Sequence, residues 1–169
     1  MWPQPTAAGS NAFWSSFDVN RMHPTMTHQS CPLCDALGGV LVFQAKKFRV
    51  IRAAEAGFPA FYRVVWTEHV AEFSDLSDAD QLLCMRVVVS VEKTLRQLLQ
   101  PTKINIAALG NMVPHLHWHI IARFDWDSHF PAPVWAPALR KVTPEELLAV
   151  QQRLLPLADE LAHRLSLLL

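Results

Sequence analysis

The sequence predicts an α+β fold, an antiparallel sheet with helices packed on it. Three observations predict it. Short segments rich in Val, Phe and Ile cluster early in the chain and follow one another through short turns. Two longer stretches carry apolar residues at helical spacing behind capping signals. A late segment, VPHLHWHIIAR at 113–123, alternates His with apolar residues in the period of a strand.

Each element has its own local reason. GGVLVFQ, KFRVIRA and FYRVVW read as three strands, separated by Gly, Lys or Pro. SDLSDADQLLCMRVVVSVEKTLRQLLQP reads as a helix, with Ser77 and Asp80 as a capping pair and Pro101 as its stop. Its apolar residues form a broad stripe between positions 82 and 99. KINIAAL is a fourth strand and 113–123 a fifth. FDWDSHFPAPVW is a Pro-rich, aromatic loop. TPEELLAVQQRLLPLADELAHRL closes the chain as a helix. Thr143 caps it, Pro144 takes its first position, Glu146 completes a capping box, and Pro156 should kink or split it.

Composition sets the outer bounds. The 169 residues suffice for one domain with a real core, and 51% are hydrophobic. Lys plus Arg equals Asp plus Glu at 15 each, which gives no reason to expect nucleic-acid binding by charge. No apolar run is long enough to span a membrane, and MWPQPTAAGS lacks the basic and apolar regions of a signal peptide, so the expected compartment is the cytoplasm. Residues 1–27 have no period and read as a partly disordered extension; residues 28–169 read as the domain. Three cysteines do not make a disulfide framework. Two of them form CPLC, Cys31 to Cys34, a spacing that suits a metal or redox role. Cys84 falls inside the helical pattern and reads as packing. His23, His28, His129 and His163 have no supporting context and read as surface residues.

The alternation at 113–123 carries the chemistry. On a strand, His115, His117 and His119 share one face, about 7 Å from one to the next, while Leu116, Trp118 and Ile120 share the core face. On a helix the same spacing would scatter the imidazoles. Imidazole can serve as metal ligand, acid, base or nucleophile. The plain alternative is a solvent-facing strand whose polar residues happen to be His.

HLHWHII resembles the signature of the histidine triad (HIT) superfamily, three His alternating with apolar residues. GNMVPHLHWHIIAR is similar to the family's longer approach to that signature. VVWTEHVAEFSDLS resembles its strand, His and Asp-Leu helix entry, and CPLC resembles the Cys pair of zinc-containing members. Together these cover roughly residues 31 to 135. The resemblance implies a HIT-like fold, a homodimer, and a nucleotide phosphohydrolase or nucleotidyltransferase acting at an α-phosphate. In that chemistry His117 attacks phosphorus to give a nucleotidyl-histidine, and His119 donates hydrogen bonds to the charged oxygens. It also implies a structural zinc held by Cys31, Cys34, His69 and His115. That assignment withdraws His115 from catalysis.

The same resemblance places Asn105 and Asn111 where family members contact phosphate. Met112 stands where many members have Ser or Thr, and Phe61 where many have a fourth His. Those two departures favour an alternative, a nucleotide-binding HIT-like protein with little or no turnover. A second alternative has all three triad histidines holding a catalytic metal. Arg123 reads either as a family basic position or as a solvent-facing cation. Trp126 and Trp135 read as base-pocket, subunit-contact or loop-packing residues.

Overall fold

The computed structural model describes residues 31–169. The expected extension over 1–27, with His23, and also His28 lie outside the described residues. Ten elements follow in order. They are a one-turn helix α1 (Pro32–Asp35), strands β1 (Val40–Gln44), β2 (Phe48–Arg52) and β3 (Phe61–Trp66), a 3-10 turn (Phe73–Asp75), helix α2 (Asp78–Leu99), strands β4 (Lys103–Ala107) and β5 (His117–Arg123), and helices α3 (Pro144–Gln151) and α4 (Leu154–Ser166). The strands form one sheet in the order β1-β2-β3-β5-β4. Every neighbouring pair is antiparallel. No helix among the described residues is long and apolar enough to cross a membrane.

Local chemistry sets the helix ends as expected. Ser77 accepts a hydrogen bond from the Asp80 backbone N–H, and α2 ends with Gln100 in the left-handed conformation before Pro101. Thr143 and Glu146 form a reciprocal capping box ahead of Pro144. The C-terminal helix is split, but at Gln152–Arg153; Pro156 sits in the first turn of α4, where its missing N–H costs nothing.

Period-2 alternation gives the sheet two different faces. On one, Phe48, Val50, Val64, Trp66, Ile120 and Ala122 pack against Val87, Val88, Val91 and Leu95 of α2 and against Leu157, Leu161 and Leu165 of α4. The helical residues recur at intervals of three and four, the stripe the sequence announces. Each large side chain buried there contributes roughly 1.5–3 kcal/mol.

The other face carries the site. β3 and β5 pair Phe61 with Ile121, Arg63 with His119, and Val65 with His117. Two small clusters cover this face in part. Leu33 closes over Ile51 and Val65, and Phe58 with Ala53 closes over Phe61 and Ile121. At Gly39 the chain passes so near the Arg52 carbonyl that a Cβ would lie 2.5 Å from the oxygen, so only glycine fits.

β5 begins at His117 and not at Val113. Pro114 cannot donate to a ladder, and the His115 N–H turns back onto the Val113 carbonyl at 2.8 Å. Leu116, Trp118 and Ile120 nonetheless pack toward the main core as the alternation requires.

Candidate active site and metal cluster

The departure from strand geometry at His115 separates the three imidazoles into two groups. His117 and His119 remain neighbours on β5, with ring centroids 4.8 Å apart and rings nearly perpendicular. His115 is fully buried and its Nδ1 lies 3.4 Å from Cys31 Sγ and 3.5 Å from Cys34 Sγ. His69, three residues past β3, brings its Nδ1 to 3.3 Å from Cys34 Sγ. Ligand atoms of Cys31, Cys34, His69 and His115 all lie within 4.8 Å of one another.

The donor set fits a tetrahedral metal. Zinc with sulfur at ~2.3 Å and nitrogen at ~2.0 Å separates neighbouring sulfur and nitrogen ligands by about 3.5 Å. The three S–N distances here match that edge. The tautomer fits too. His115 Nε2 donates to the Trp66 carbonyl at 2.7 Å, which leaves Nδ1 with its lone pair toward the thiols. Burial, the largest of several effects, holds the His115 imidazole below its usual protonation range, in the neutral form a metal requires.

Arg49, a residue sequence reasoning did not single out, fastens this cluster to the sheet. Its Nη2 donates to the Leu33 carbonyl at 2.6 Å and to the Ala36 carbonyl at 3.2 Å, and its Nε to Leu37 at 3.3 Å. A one-turn helix cannot satisfy its own terminal carbonyls, and the buried guanidinium supplies the donors. The available signal was a cation at an inward position of FRVIR, set between Phe48 and Val50.

His117 and His119 open onto a cleft of about 530 Å³, lined also by Leu33, Arg63, Asn111, Met112 and Trp135. His117 Nδ1 donates to the His115 carbonyl at 2.7 Å, which fixes the tautomer: in the neutral ring the lone pair sits on Nε2. His119 is 6% exposed. Burial, reinforced by His117 and Arg63, pushes its protonation down to about 4, so the ring is neutral at pH 7. Its Nδ1 is buried without a partner. Phe61 meets the His119 ring edge-on at 5.4 Å, and Trp135 meets it at 5.5 Å.

The other predicted residues divide. Asn111 lines the cleft, as does Met112, which is 93% exposed. Both follow Gly110, whose positive φ suits glycine. Asn105 does not line the cleft; its side-chain oxygen accepts from Arg123 Nη1 at 2.7 Å. Arg123 does not face solvent. It is 1% exposed and its Nε and Nη2 hold the two Asp127 oxygens at 2.7 and 2.9 Å. Burial works against the Asp127 charge, but Arg123 and the backbone N–H groups of His129 and Phe124 outweigh it and keep the carboxyl below its usual range. Arg123 also donates to the Ala132 carbonyl, which ties down the loop that presents Trp135. Trp126 stacks on Phe124 at 4.7 Å beside the main core, away from the cleft. His129 is half-buried against Phe58, not on the surface, whereas His163 is exposed.

With this geometry in place, the comparisons with known proteins give the family. The HIT domain model matches residues 38–126, and the chain belongs to that family. Its structure is similar to a histidine triad protein from Bradyrhizobium japonicum, with 27% identity and a TM-score of 0.62 over 75% of this chain and 92% of that one. It is similar to one from Marinobacter aquaeolei VT8 at 27% identity, with a TM-score of 0.60 over 79% and 98%. A zinc-bound histidine triad family protein from Mycobacterium smegmatis shares the fold at 18% identity, with a TM-score of 0.53 over 81% and 96%. No curated protein matches the chain.

Proposed function

We propose that this protein is a nucleotide phosphohydrolase or nucleotidyltransferase acting at an α-phosphate through a nucleotidyl-histidine on His117. One observation carries the reading: the His117 ring lines an open cleft with its Nδ1–H held on a backbone carbonyl, so that the lone pair of the neutral ring sits on Nε2. An imidazole in that tautomer is a nucleophile at pH 7 without any prior proton transfer.

Nε2 of His117 forms a bond to phosphorus as the bond from phosphorus to the leaving group breaks, and the leaving group departs with the bond's electron pair. His119, neutral at working pH, donates a hydrogen bond to the oxygens that gather charge. Water or an acceptor hydroxyl or amine then attacks phosphorus, loses its proton to solvent, and releases His117. The result is a nucleoside monophosphate or a transferred nucleotidyl group. Asn111 stands on the cleft wall, able to donate its amide to a phosphate oxygen.

Cys31, Cys34, His69 and His115 would hold one zinc ion, which supplies a closed structural anchor and no open position for substrate. The zinc-bound relative supports that choice of metal. We further infer a domain spanning 28–169, a cytoplasmic location and a homodimer. Edge strand β4, with Ile106 exposed, and the outward Leu82 and Val89 of α2 offer surface for a second copy. Sedimentation equilibrium tests that last point.

The decisive experiment is to incubate the protein with nucleoside 5′-phosphoramidates and dinucleoside polyphosphates, quench in base, and map any adduct by mass spectrometry. A nucleotidyl group on His117 that disappears in His117→Ala is the expected result. Tight nucleotide binding with no adduct and no turnover would instead favour the binding-only alternative that Phe61 and Met112 suggest.

A further inference from the structure

We propose that Arg63 anchors the phosphate in this cleft, its guanidinium holding the non-bridging oxygens of the group that His117 attacks. The inference rests on the proposed function for the identity of the ligand, and on the following geometry for the residue.

Arg63 is the Cα partner of His119 across the β3–β5 ladder, so its side chain leaves the sheet on the same face as the two catalytic candidates. It lines their cleft, and it is the sole Lys or Arg among the described residues that do so. A phosphate brought to His117 therefore has one cation within the cleft wall to meet.

The side chain is prepared for that task. Arg63 Nη2 donates to Glu55 at 2.7 Å, and its guanidinium lies 5.4 Å from the Phe61 ring centre. These contacts fix the plane of the fork without using all its donors. Its Nε is buried and has no hydrogen-bond partner. A buried donor left without an acceptor is uncommon in folded proteins, so the hydrogen bonding of this guanidinium is incomplete beside the cleft. The Arg63 side chain is 22% exposed and Glu55 is 41% exposed, so solvent screens that pair and the guanidinium keeps charge to offer.

Phosphate suits a planar fork better than it suits a single ammonium. Charge and geometry are thus separable. The alternative is that Arg63 only tethers the loop bearing Glu55 to β3.

The test is calorimetric binding of AMP, GMP, CMP and UMP, each beside its parent nucleoside, to the full chain and to Arg63→Gln, Arg63→Lys and Glu55→Gln. The anchor predicts that Arg63→Gln weakens the best monophosphate about tenfold or more and leaves the nucleoside unchanged. Arg63→Lys falls between, and Glu55→Gln, which keeps the guanidinium, falls well short of the Arg63→Gln loss. Equal losses for nucleotide and nucleoside, loss on Glu55→Gln as large as on Arg63→Gln, or no monophosphate binding by the wild type would overturn it. Should Arg63→Gln fail to fold, the Arg63→Lys and Glu55→Gln comparisons decide. Arg63-dependent binding without any His117 adduct would leave the anchor standing and remove the covalent reading, so the two claims fail separately.

Discussion

The Nδ1–H of His117 donates to the backbone oxygen of His115 at 2.7 Å, while the His115 side chain points into the Cys31–Cys34–His69 cluster. One residue thus offers a metal-ligating nitrogen with its ring and fixes its neighbour's tautomer with its backbone. The candidate metal cluster and the proposed nucleophile are two residues apart along the chain.

Metal removal should therefore act on both stability and chemistry. The protein as purified is expected to hold one zinc per chain by elemental analysis. Cys34→Ser or strong chelation should lower the melting temperature by about 5 °C or more, because binding free energy at such a site is folding free energy. The same treatment should slow adduct formation at His117. Retention of the metal in Cys31→Ser and its loss in His117→Ala would point instead to a catalytic metal on the triad.

Substitutions at the two cleft histidines should separate. His117→Ala removes the nucleophile and should lower turnover by roughly 10³-fold or more, with the adduct gone. His119→Gln keeps a side-chain N–H donor near the charged oxygens, so the adduct should still form and the loss should be smaller, roughly 10–100-fold. Single-turnover kinetics with the two variants checks the order.

Arg123 and Asp127 form a buried bidentate pair, 1% and 2% exposed at their side chains. Breaking such a pair leaves an uncompensated charge inside the protein, at a cost of about 3–5 kcal/mol. Asp127→Ala should show that loss in denaturant unfolding and should also free the backbone N–H groups of Phe124, His129 and Phe130, which Asp127 now accepts from. Because Arg123 also holds Ala132, the Trp135 side chain should lose its fixed place against His119, read as lower fluorescence anisotropy relative to the same variant pair lacking Trp135. The double substitution Arg123→Met with Asp127→Leu should recover part of the stability and none of the loop order.

The sequence made legible whatever is local or periodic. Ser77–Asp80 and Thr143–Glu146 are capping pairs three residues apart, so their chemistry lies within one window. The alternation at 113–123 likewise announced the core side of Leu116, Trp118 and Ile120, and the family resemblance located the Cys–His cluster. Long-range polar partners were not legible. Arg49 meets carbonyls at 33–37, and Arg123 meets Asn105 and Asp127, contacts that depend on how loops close over the sheet. Arg63 carried a readable sign, as the one charged residue in FYRVVW, but its direction became clear only once the register paired it with His119. Asn105 matched a motif position, yet its side chain is engaged by Arg123 outside the cleft, because β4 presents it opposite Ile121, two places along from His119.

The depressed protonation of His119 gives a stability prediction of definite sign. An imidazole free in the unfolded chain titrates near 6.5, whereas in the folded protein it does so at about 4. Burial is the main cause, with Arg63 and His117 as the charged and titratable neighbours that add to it. Above pH 6.5 both states hold the ring neutral, and it has no effect on the balance. As the pH falls from 6.5 toward 4, the unfolded chain gains a proton that the folded protein refuses, and stability drops. The full penalty is on the order of 3 kcal/mol, approached as the pH nears 4. Chemical denaturation of wild type and His119→Gln at pH 7.5 and pH 4.5 isolates it, since other acid-sensitive groups are common to both. The wild type should lose more stability than the variant across that interval. Equal losses would show that the His119 ring takes up its proton in the folded state as readily as in the unfolded one.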